Sequence, residues 1–366
     1  MRVEDIDTPA LLVDVAIMEE NLRWMQAKAD RAGVKLRPHT KTHRTPALAR
    51  RQVELGAHGI TVAKLGEAEV MVEAGLSDIF IANEIVGPLK LTRLRRLARR
   101  ARLAVAVDSP VQVHALAETF ASEAEPLDVL IDVDTGDART GVQPGQPVLE
   151  LARLVSAAPG LRLRGIYTHE GHSYGAPDVA AVQAVFRRSQ EDMLATAALL
   201  RQHGLPVEEI SVGATPALLV ADILPGITEI RPGTYIFLDA AQANLLGTYA
   251  RCALTVLTTV TSRPTPERVV LDAGVKALTA FVRGAGVCQT HGYGVLKGLP
   301  HLHLEKLSDE HGVFTALPGR AWAIGDRVEI IPNHACPTCN LYDRIYGVRD
   351  GRVVNAWPIL ARGESR

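Results

Sequence analysis

Between about residue 10 and residue 240 the chain alternates between two textures. Short β-prone apolar runs give way to stretches rich in Ala, Leu, Arg and Glu, whose apolar residues recur at helical spacing. Eight such runs stand out: 34–37, Gly59–Val62, Asp78–Ala82, Leu103–Val107, Leu127–Val133, Leu163–Thr168, Glu209–Val212 and Thr228–Arg231. The stretches between them, at about 46–55, 66–75, 88–101, 109–119, 146–157, 178–203 and 216–223, read as helices. A further helix begins at Asp14, whose carboxylate suits an N-cap. Near-continuous apolar strands joined by helices indicate a parallel sheet covered on both faces. Eight units are the number that closes a barrel. The expected fold is therefore α/β, a (β/α)8 TIM-type barrel over residues 10–245. An open doubly wound sheet would carry a glycine fingerprint in its first strand–helix turn. Here that turn reads Arg37-Pro38-His39-Thr40-Lys41-Thr42-His43 instead.

After residue 245 the helical period disappears. Alternating runs at Leu254–Val260, Val269–Leu271, Leu302–Leu307 and Val328–Ile331 are punctuated by Pro264, Pro266, Gly284, Gly286, Gly292, Gly294 and Gly325. This predicts a C-terminal β-rich domain over residues 246–366, joined by residues 1–9. The run Ala10-Leu11-Leu12-Val13 suits pairing with either part.

The 366 residues are 47% hydrophobic and 22% charged, enough for a sizeable core, and the net charge of −1 supplies no field that would draw the chain to nucleic acid or anionic lipid. No apolar run is long enough to span a bilayer, and Met1-Arg2-Val3-Glu4-Asp5 has no signal-like core. Four cysteines do not make a disulfide framework at this length. The expectation is a cytoplasmic protein whose partners are small molecules.

In a barrel of this kind the active site lies at the carboxyl ends of the strands. The first strand delivers His39, Lys41 and His43 there. The fifth leads into Asp134–Gly141 with Arg139, and the sixth into His169-Glu170-Gly171-His172. The last two deliver Ser211, Gly213 and Thr215, then Arg231, Gly233 and Thr234. A desolvated lysine can form a Schiff base with a carbonyl. Loops after strands 7 and 8 often cradle phosphate, and Ser211, Gly213, Thr215, Gly233 and Thr234 supply the small hydroxyls and open backbone for it. Lysine and cradle together suggest pyridoxal phosphate. His169 suits a ring-stacking role, and Arg139 or Arg231 suits the ring's polar atom. In the β-rich part, His334-Ala335-Cys336-Pro337-Thr338-Cys339 places His334 and Cys336 two apart. On an extended segment they would share one side, as two ligands of a zinc-like ion with open positions left over, and Cys339 offers a third.

These stretches together resemble the D-threonine aldolase/D-serine dehydratase family, pyridoxal-phosphate enzymes of the alanine-racemase fold type. The resemblance covers almost the whole chain. It runs from Asp5-Ile6-Asp7-Thr8-Pro9-Ala10 through Arg37–His43, Asp132–Gly141, His169–His172, Gly213-Ala214-Thr215-Pro216, Arg231–Tyr235 and Leu271-Asp272-Ala273-Gly274 to Pro332–Thr338. It implies an N-terminal barrel, a C-terminal β domain and a head-to-tail homodimer. It implies Lys41 as the lysine joined to the cofactor, His169 against the pyridine ring, and Ser211, Gly213, Thr215, Gly233 and Tyr235 around the phosphate. His334 and Cys336 match the metal pair, for zinc, manganese or magnesium. The implied substrates are D-amino acids with a β-hydroxyl, cleaved to glycine and an aldehyde or dehydrated to a 2-oxo acid and ammonia.

In dehydration Lys41 is the natural base for the α-proton. In aldol cleavage His39, His43 or His172 would take the hydroxyl proton. There are departures. Val275 stands where family members often have serine. Cys336 is dehydratase-like, whereas Asn340-Leu341-Tyr342-Asp343 is aldolase-like, so the two reactions stay open. An amino-acid racemase of the same fold fits less well, because Lys41-Thr42-His43 lacks the racemase pattern and a racemase has no need of His334 and Cys336. A non-catalytic pyridoxal-phosphate carrier would lack the β domain. A metal-dependent hydrolase on a TIM barrel usually sets two histidines two apart on its first strand, whereas His39 and His43 are four apart.

Overall fold

The computed structural model describes all residues from Met1 to Arg366. The chain divides into two compact units. One comprises Met25–Lys41, Pro46–Gly233 and Gly363–Arg366, the other Met1–Trp24, Thr42–Thr45 and Thr234–Arg362. No helix is long and apolar enough to cross a membrane.

The first strand, β1 (Ala10–Asp14), belongs to the second unit. It leads into a helix, Val15–Ala32, and Asp14 Oδ1 accepts the Ala16 and Ile17 N–H groups at 3.0 and 3.1 Å, which satisfies donors that a helix start leaves open. The eight strands of the first unit follow as β2 (Lys35–Leu36), β3 (Ile60–Val62), β4 (Asp78–Glu84), β5 (Arg102–Val107), β6 (Leu127–Asp132), β7 (Leu161–Tyr167), β8 (Glu209–Val212) and β9 (Glu229–Ile230). They form one parallel sheet in the order β2-β9-β8-β7-β6-β5-β4-β3. Its ends meet where His39 bridges Thr61, flanked by His58 N–H to Leu36 O and Thr61 N–H to Pro38 O, both 2.8 Å. The barrel expected from the alternating texture is present, with helices at Pro46–Glu54, Leu65–Glu73, Pro88–Ala98, Pro110–Phe120, Gln146–Ala157, Val179–Gln202 and Thr215–Val220.

Towards the carboxyl ends of the strands the interior is aromatic and small: Phe80 and Tyr167 meet edge to face at 5.0 Å in a cluster with Ala104, Ala106 and Leu130. Towards the amino ends it is ionic. Arg37 donates from Nε to Glu229 at 2.7 Å and pairs also with Asp78. Arg102 lies 3.9 Å from Asp78 and 3.6 Å from Asp128. Asp128 accepts from Arg162 at 2.6 Å and lies 3.5 Å from Arg164, which reaches Glu209 at 3.0 Å. Lys35 closes the circuit to Glu209 at 2.6 Å.

A bulge aims one of these groups. Val129 pairs with Leu163 and Leu130 with Gly165, so Arg164 is the extra residue of β7. Gly165 is there because a side chain would overlap the Glu209 carbonyl of the next strand. Burial opposes the charge of Arg37, but Glu229 and Asp78 outweigh it and hold the guanidinium firmly protonated.

The second unit is built on β10 (Leu254–Ser262), β11 (Arg268–Leu271), β12 (Val295–Leu296), β13 (Leu299–His303), β14 (Lys306–Leu307), β15 (Gly312–Thr315), β16 (Arg327–Ile331), β17 (Arg344–Arg349) and β18 (Arg352–Pro358). The main path runs β13-β12-β16-β10-β1-β17-β18, and β11, β15 and β14 continue from β10. The ambiguity over Ala10–Val13 is resolved here. β1 pairs antiparallel with β10 and parallel with β17, and Ala10 and Leu12 bury with Ile6 and Leu257. The hairpin β17–β18 turns at Asp350-Gly351, both with positive φ (49° and 69°), the geometry that such a pair favours in a two-residue turn.

Replacing Arg37 by leucine leaves the buried Glu229 without its cation. Loss of one partner of a buried pair costs about 3–5 kcal/mol. Urea unfolding is expected to show a loss of that size, and a loss under about 1 kcal/mol would mean that the ionic circuit is not structural.

Candidate active site

The segment that carries Lys41 is held on both sides. His39 N–H donates to Pro232 O at 2.9 Å, Thr61 Oγ1 to Arg37 O and Thr40 Oγ1 to Thr61 O, each at 3.1 Å. Pro38 removes a donor and fixes the entry, and Lys41 sits in the single 3-10 turn Thr40–Thr42. The amine thus leaves a rigid strand end rather than a loose loop.

The barrel unit brings Lys41 into one electrostatic neighbourhood with His39, His169, Arg139 and Arg231. His39 is buried and His169 half-buried. Burial, then the Lys41 charge, then Arg139 and Arg231 push both imidazoles well below their ordinary range. Both histidines are therefore neutral at physiological pH, and the site is a concentration of positive charge. Its tautomers follow from neighbours. His169 Nδ1 lies 3.3 Å from Gly213 O, an acceptor, so this nitrogen carries the proton. His39 Nδ1 accepts from Lys41 N–H at 3.4 Å, and His43 Nδ1 accepts from Thr45 N–H at 3.1 Å, so both lone pairs are engaged. His172 differs: its Nδ1 is buried without a hydrogen-bond partner, while its Nε2 faces Gly136.

Ser211 and Arg231 do not stand open as the sequence suggests. Ser211 Oγ donates to Glu229 at 2.7 Å and accepts from Arg231 Nε at 2.7 Å. Arg231 also donates to Thr168 O, and its guanidinium lies 4.9 Å from the Tyr167 ring centre. Both side chains are thus tied to the barrel interior. Arg139, with its side chain 54% exposed and its nearest acid, Asp137, at 3.8 Å, keeps its guanidinium available. Gly213 has a φ of +131°, and a Cβ there would lie 3.0 Å from the Arg231 nitrogen. Thr215 is buried and heads its helix, so its N–H has no partner within the helix. Gly233 ends the long central segment of this unit.

The second unit gathers another set. Cys336 Sγ lies 3.2 Å from Thr42 Oγ1 and 3.7 Å from Thr234 Oγ1. Tyr235 is buried in the turn Thr234–Ile236. One expectation is corrected here: His334 and Cys336 do not lie on one extended segment. His334 has extended backbone (φ −144°) and caps a short helix, Ala335–Cys339, that contains Cys336. Thr338 Oγ1 folds back on His334 O at 2.9 Å and closes this turn. Phe281 flanks the His334 ring at 4.8 Å, and Asn333 Nδ2 anchors the segment to Phe281 O and Gly292 O at 3.0 and 2.8 Å. Burial pushes the Cys339 thiol well above its ordinary range, which disfavours the thiolate that a ligand requires.

Sequence reasoning passes over two buried carboxylates. Asp239 caps the helix Ala240–Leu246 and accepts Ala335 N–H at 2.9 Å, and burial raises it to about 6. Its position before Ala-Ala-Gln is an N-cap signal that could have found it. Glu170 accepts two backbone N–H groups of the Gly213 loop, a partnership with no local signature.

Residues 13–241 match the family described as alanine racemase, N-terminal domain, and residues 253–348 match the putative serine dehydratase domain. A D-threonine aldolase of Arthrobacter sp is 40% identical over 366 residues, 99% of this chain and 94% of that one. This chain belongs to the D-threonine aldolase/D-serine dehydratase family. The D-threo-3-hydroxyaspartate dehydratase of Delftia sp. (strain HT23) is 37% identical over 97% of each chain, and its structure superposes with a TM-score of 0.90. The crystal structure of D-threonine aldolase from Filomicrobium marinum matches with a TM-score of 0.91 and 35% identity, over 100% of this chain and 98% of that one.

The family implies pyridoxal phosphate and suggests a divalent metal. The cofactor fits the residues present. An anionic ligand suits a site with Lys41, Arg139 and two neutral histidines, and the Gly213 turn leaves a cradle that a Cβ would disturb. For the metal, His334 and Cys336 supply the nitrogen and sulfur donors that a zinc-like ion prefers. No group of three or more His, Cys, Asp or Glu assembles around them, so the protein would contribute two ligands and leave the rest to water or substrate.

Proposed function

We propose that this chain is a pyridoxal-phosphate- and divalent-metal-dependent lyase acting on small D-3-hydroxy amino acids. It would either cleave the Cα–Cβ bond to give glycine and an aldehyde, or eliminate water to give a 2-oxo acid and ammonia. The observation that carries this reading is the neighbourhood of Lys41: an amine on a rigid turn among two neutral imidazoles and two arginines. The His334/Cys336 pair supports the metal, as does a solved structure of a cysteine-to-alanine mutant of a D-threo-3-hydroxyaspartate dehydratase, described as in the metal-free form. Relatives named for each reaction support both outcomes.

When bound, pyridoxal phosphate supplies an electron sink for the substrate's α-carbon, and a divalent ion supplies a Lewis acid for its β-hydroxyl. Lys41 would be the residue that holds the cofactor's aldehyde carbon. His169 would lie against the pyridine ring, and its Nδ1–H bond to Gly213 O fixes the plane of the imidazole. Arg139 addresses the ring's polar atom, since Arg231 is committed to Ser211 and Thr168. Thr215 and Gly233 would hold the phosphate beside the turn that Gly213 shapes, while Ser211 acts behind them by holding Arg231. His334 and Cys336 would hold the metal, and their nitrogen and sulfur donors would favour zinc over manganese or magnesium.

The two outcomes differ in which proton is taken. In dehydration Lys41 Nζ takes the α-proton. In cleavage a base takes the β-hydroxyl proton. His39 and His43 have committed their Nδ1 lone pairs to backbone N–H groups, which leaves His172 as that base. A homodimer in the cytoplasm completes the reading, in keeping with the family resemblance.

The deciding experiment is a product assay with D-threonine and D-serine, with and without zinc or manganese. Glycine with acetaldehyde identifies cleavage, and 2-oxo acid with ammonia identifies dehydration. No product from either substrate, or from D-3-hydroxyaspartate, sinks the lyase reading. Cys336→Ala is expected to keep the visible absorbance of lysine-bound cofactor while losing turnover, and full turnover under chelation would remove the metal role. His172→Ala is expected to lower aldol cleavage by about 10²–10⁴-fold with cofactor absorbance retained. A loss under about threefold would return the role of base to another group.

A further inference from the structure

Glu170 is a buried carboxylate that the chemistry outlined above does not use. It follows His169 in the loop after β7 and is wholly buried. One of its oxygens accepts Ala214 N–H at 2.6 Å and the other accepts Gly213 N–H at 3.3 Å. From the same loop, His169 Nδ1 donates to Gly213 O at 3.3 Å. Two consecutive residues thus grip both polar groups of Gly213 and the amide of Ala214. The next residue, Thr215, heads the helix Thr215–Val220. Gly213 is also pressed against the following strand, where a Cβ would come within 3.0 Å of the Arg231 nitrogen. The turn has no room to drift on that side, and Glu170 holds it on the other.

A carboxylate is chemically specific for this task. It offers an acceptor to each of two converging N–H donors and carries no hydrogen of its own. A glutamine of the same length would turn an NH2 group towards one of them. Burial raises the Glu170 carboxyl to about 6, and the charge of Arg231 and the N–H groups of Gly213 and Ala214 work against that rise.

We propose that Glu170 is the positioning residue of the cofactor-phosphate loop: with His169 it locks the Gly213–Ala214 backbone so that Thr215 is presented to the phosphate in fixed register with the ring-facing imidazole. The inference rests on the cofactor reading above and assigns a role to a residue that touches neither cofactor nor substrate.

The test titrates wild-type protein and Glu170→Gln with pyridoxal phosphate and with pyridoxal, which lacks the phosphate, following the visible absorbance of lysine-bound aldehyde. Loss of a buried hydrogen-bond acceptor is expected to weaken pyridoxal phosphate by about tenfold or more and pyridoxal by less than about twofold. Equal weakening of both aldehydes would make Glu170 a general structural residue and overturn the proposal. Unchanged or tighter binding of pyridoxal phosphate would overturn it too, the latter because Glu170 would then compete with the phosphate for the same N–H groups. No absorbance from wild-type protein with either aldehyde would remove the cofactor reading itself. If Glu170→Gln does not fold, hydrogen exchange of the wild-type Gly213 and Ala214 amides decides. Both amides are expected to be protected with and without pyridoxal phosphate, and exposure in either state sinks the idea.

Discussion

The barrel depends on a single thread of buried polar contacts that runs along its inside. Arg37 donates to Glu229, Ser211 donates to the other Glu229 oxygen, Arg231 donates to Ser211, and Arg231 reaches on to Thr168 O. Thr168 Oγ1 in turn donates to Val133 O at 2.7 Å and meets Thr135 Oγ1 at 2.9 Å, at the start of the loop that carries Arg139. None of these groups is exposed enough for water to replace a lost partner, so each is bound to its neighbours by the penalty of leaving a buried polar atom unpaired. The thread starts one residue before Pro38 and ends among the residues that surround Lys41. It ties the ionic amino-end floor of the barrel to the chemistry at the carboxyl end.

The cationic character of the site follows from the same arrangement. Arg231 is fixed by structural partners, yet its charge still bears on His39 and His169 and helps keep both neutral. Neutral imidazoles hold a defined tautomer, and here each is set by a backbone group: Gly213 O for His169, Lys41 N–H for His39 and Thr45 N–H for His43. The second unit uses a local device instead. His334 and Cys336 sit at the start of a five-residue helix whose capping residue is His334 itself, and Asp239 receives the N–H of Ala335 between them.

Legibility was uneven for physical reasons. The barrel strands and helices were readable because parallel strands buried on both faces are continuous apolar runs and their helices carry a 3.6-residue stripe. Several strands of the second unit were missed. β12 is two residues long, and β17 and β18 mix apolar residues with Gly347 and Asn355 and carry Arg344, Arg349 and Arg352 at their ends. The extended reading of His334–Cys336 failed because Pro337 fits the first turn of a helix as well as it fits a strand edge.

The sequence by itself determined the fold class, the family and the residue types of the candidate site, since periodicity and ordered motifs are local properties of the chain. Tertiary structure decided which of those residues are available. Ser211 and Arg231 look like ligand groups in the sequence, but they are consumed by Glu229 and Thr168, which lie far away along the chain. Glu170 looks like a polar loop residue, but it is buried under the Gly213 turn, 43 and 44 residues from its hydrogen-bond donors. A hydrogen bond's partner depends on distance in space, and no spacing along the chain encodes which donor will be left waiting.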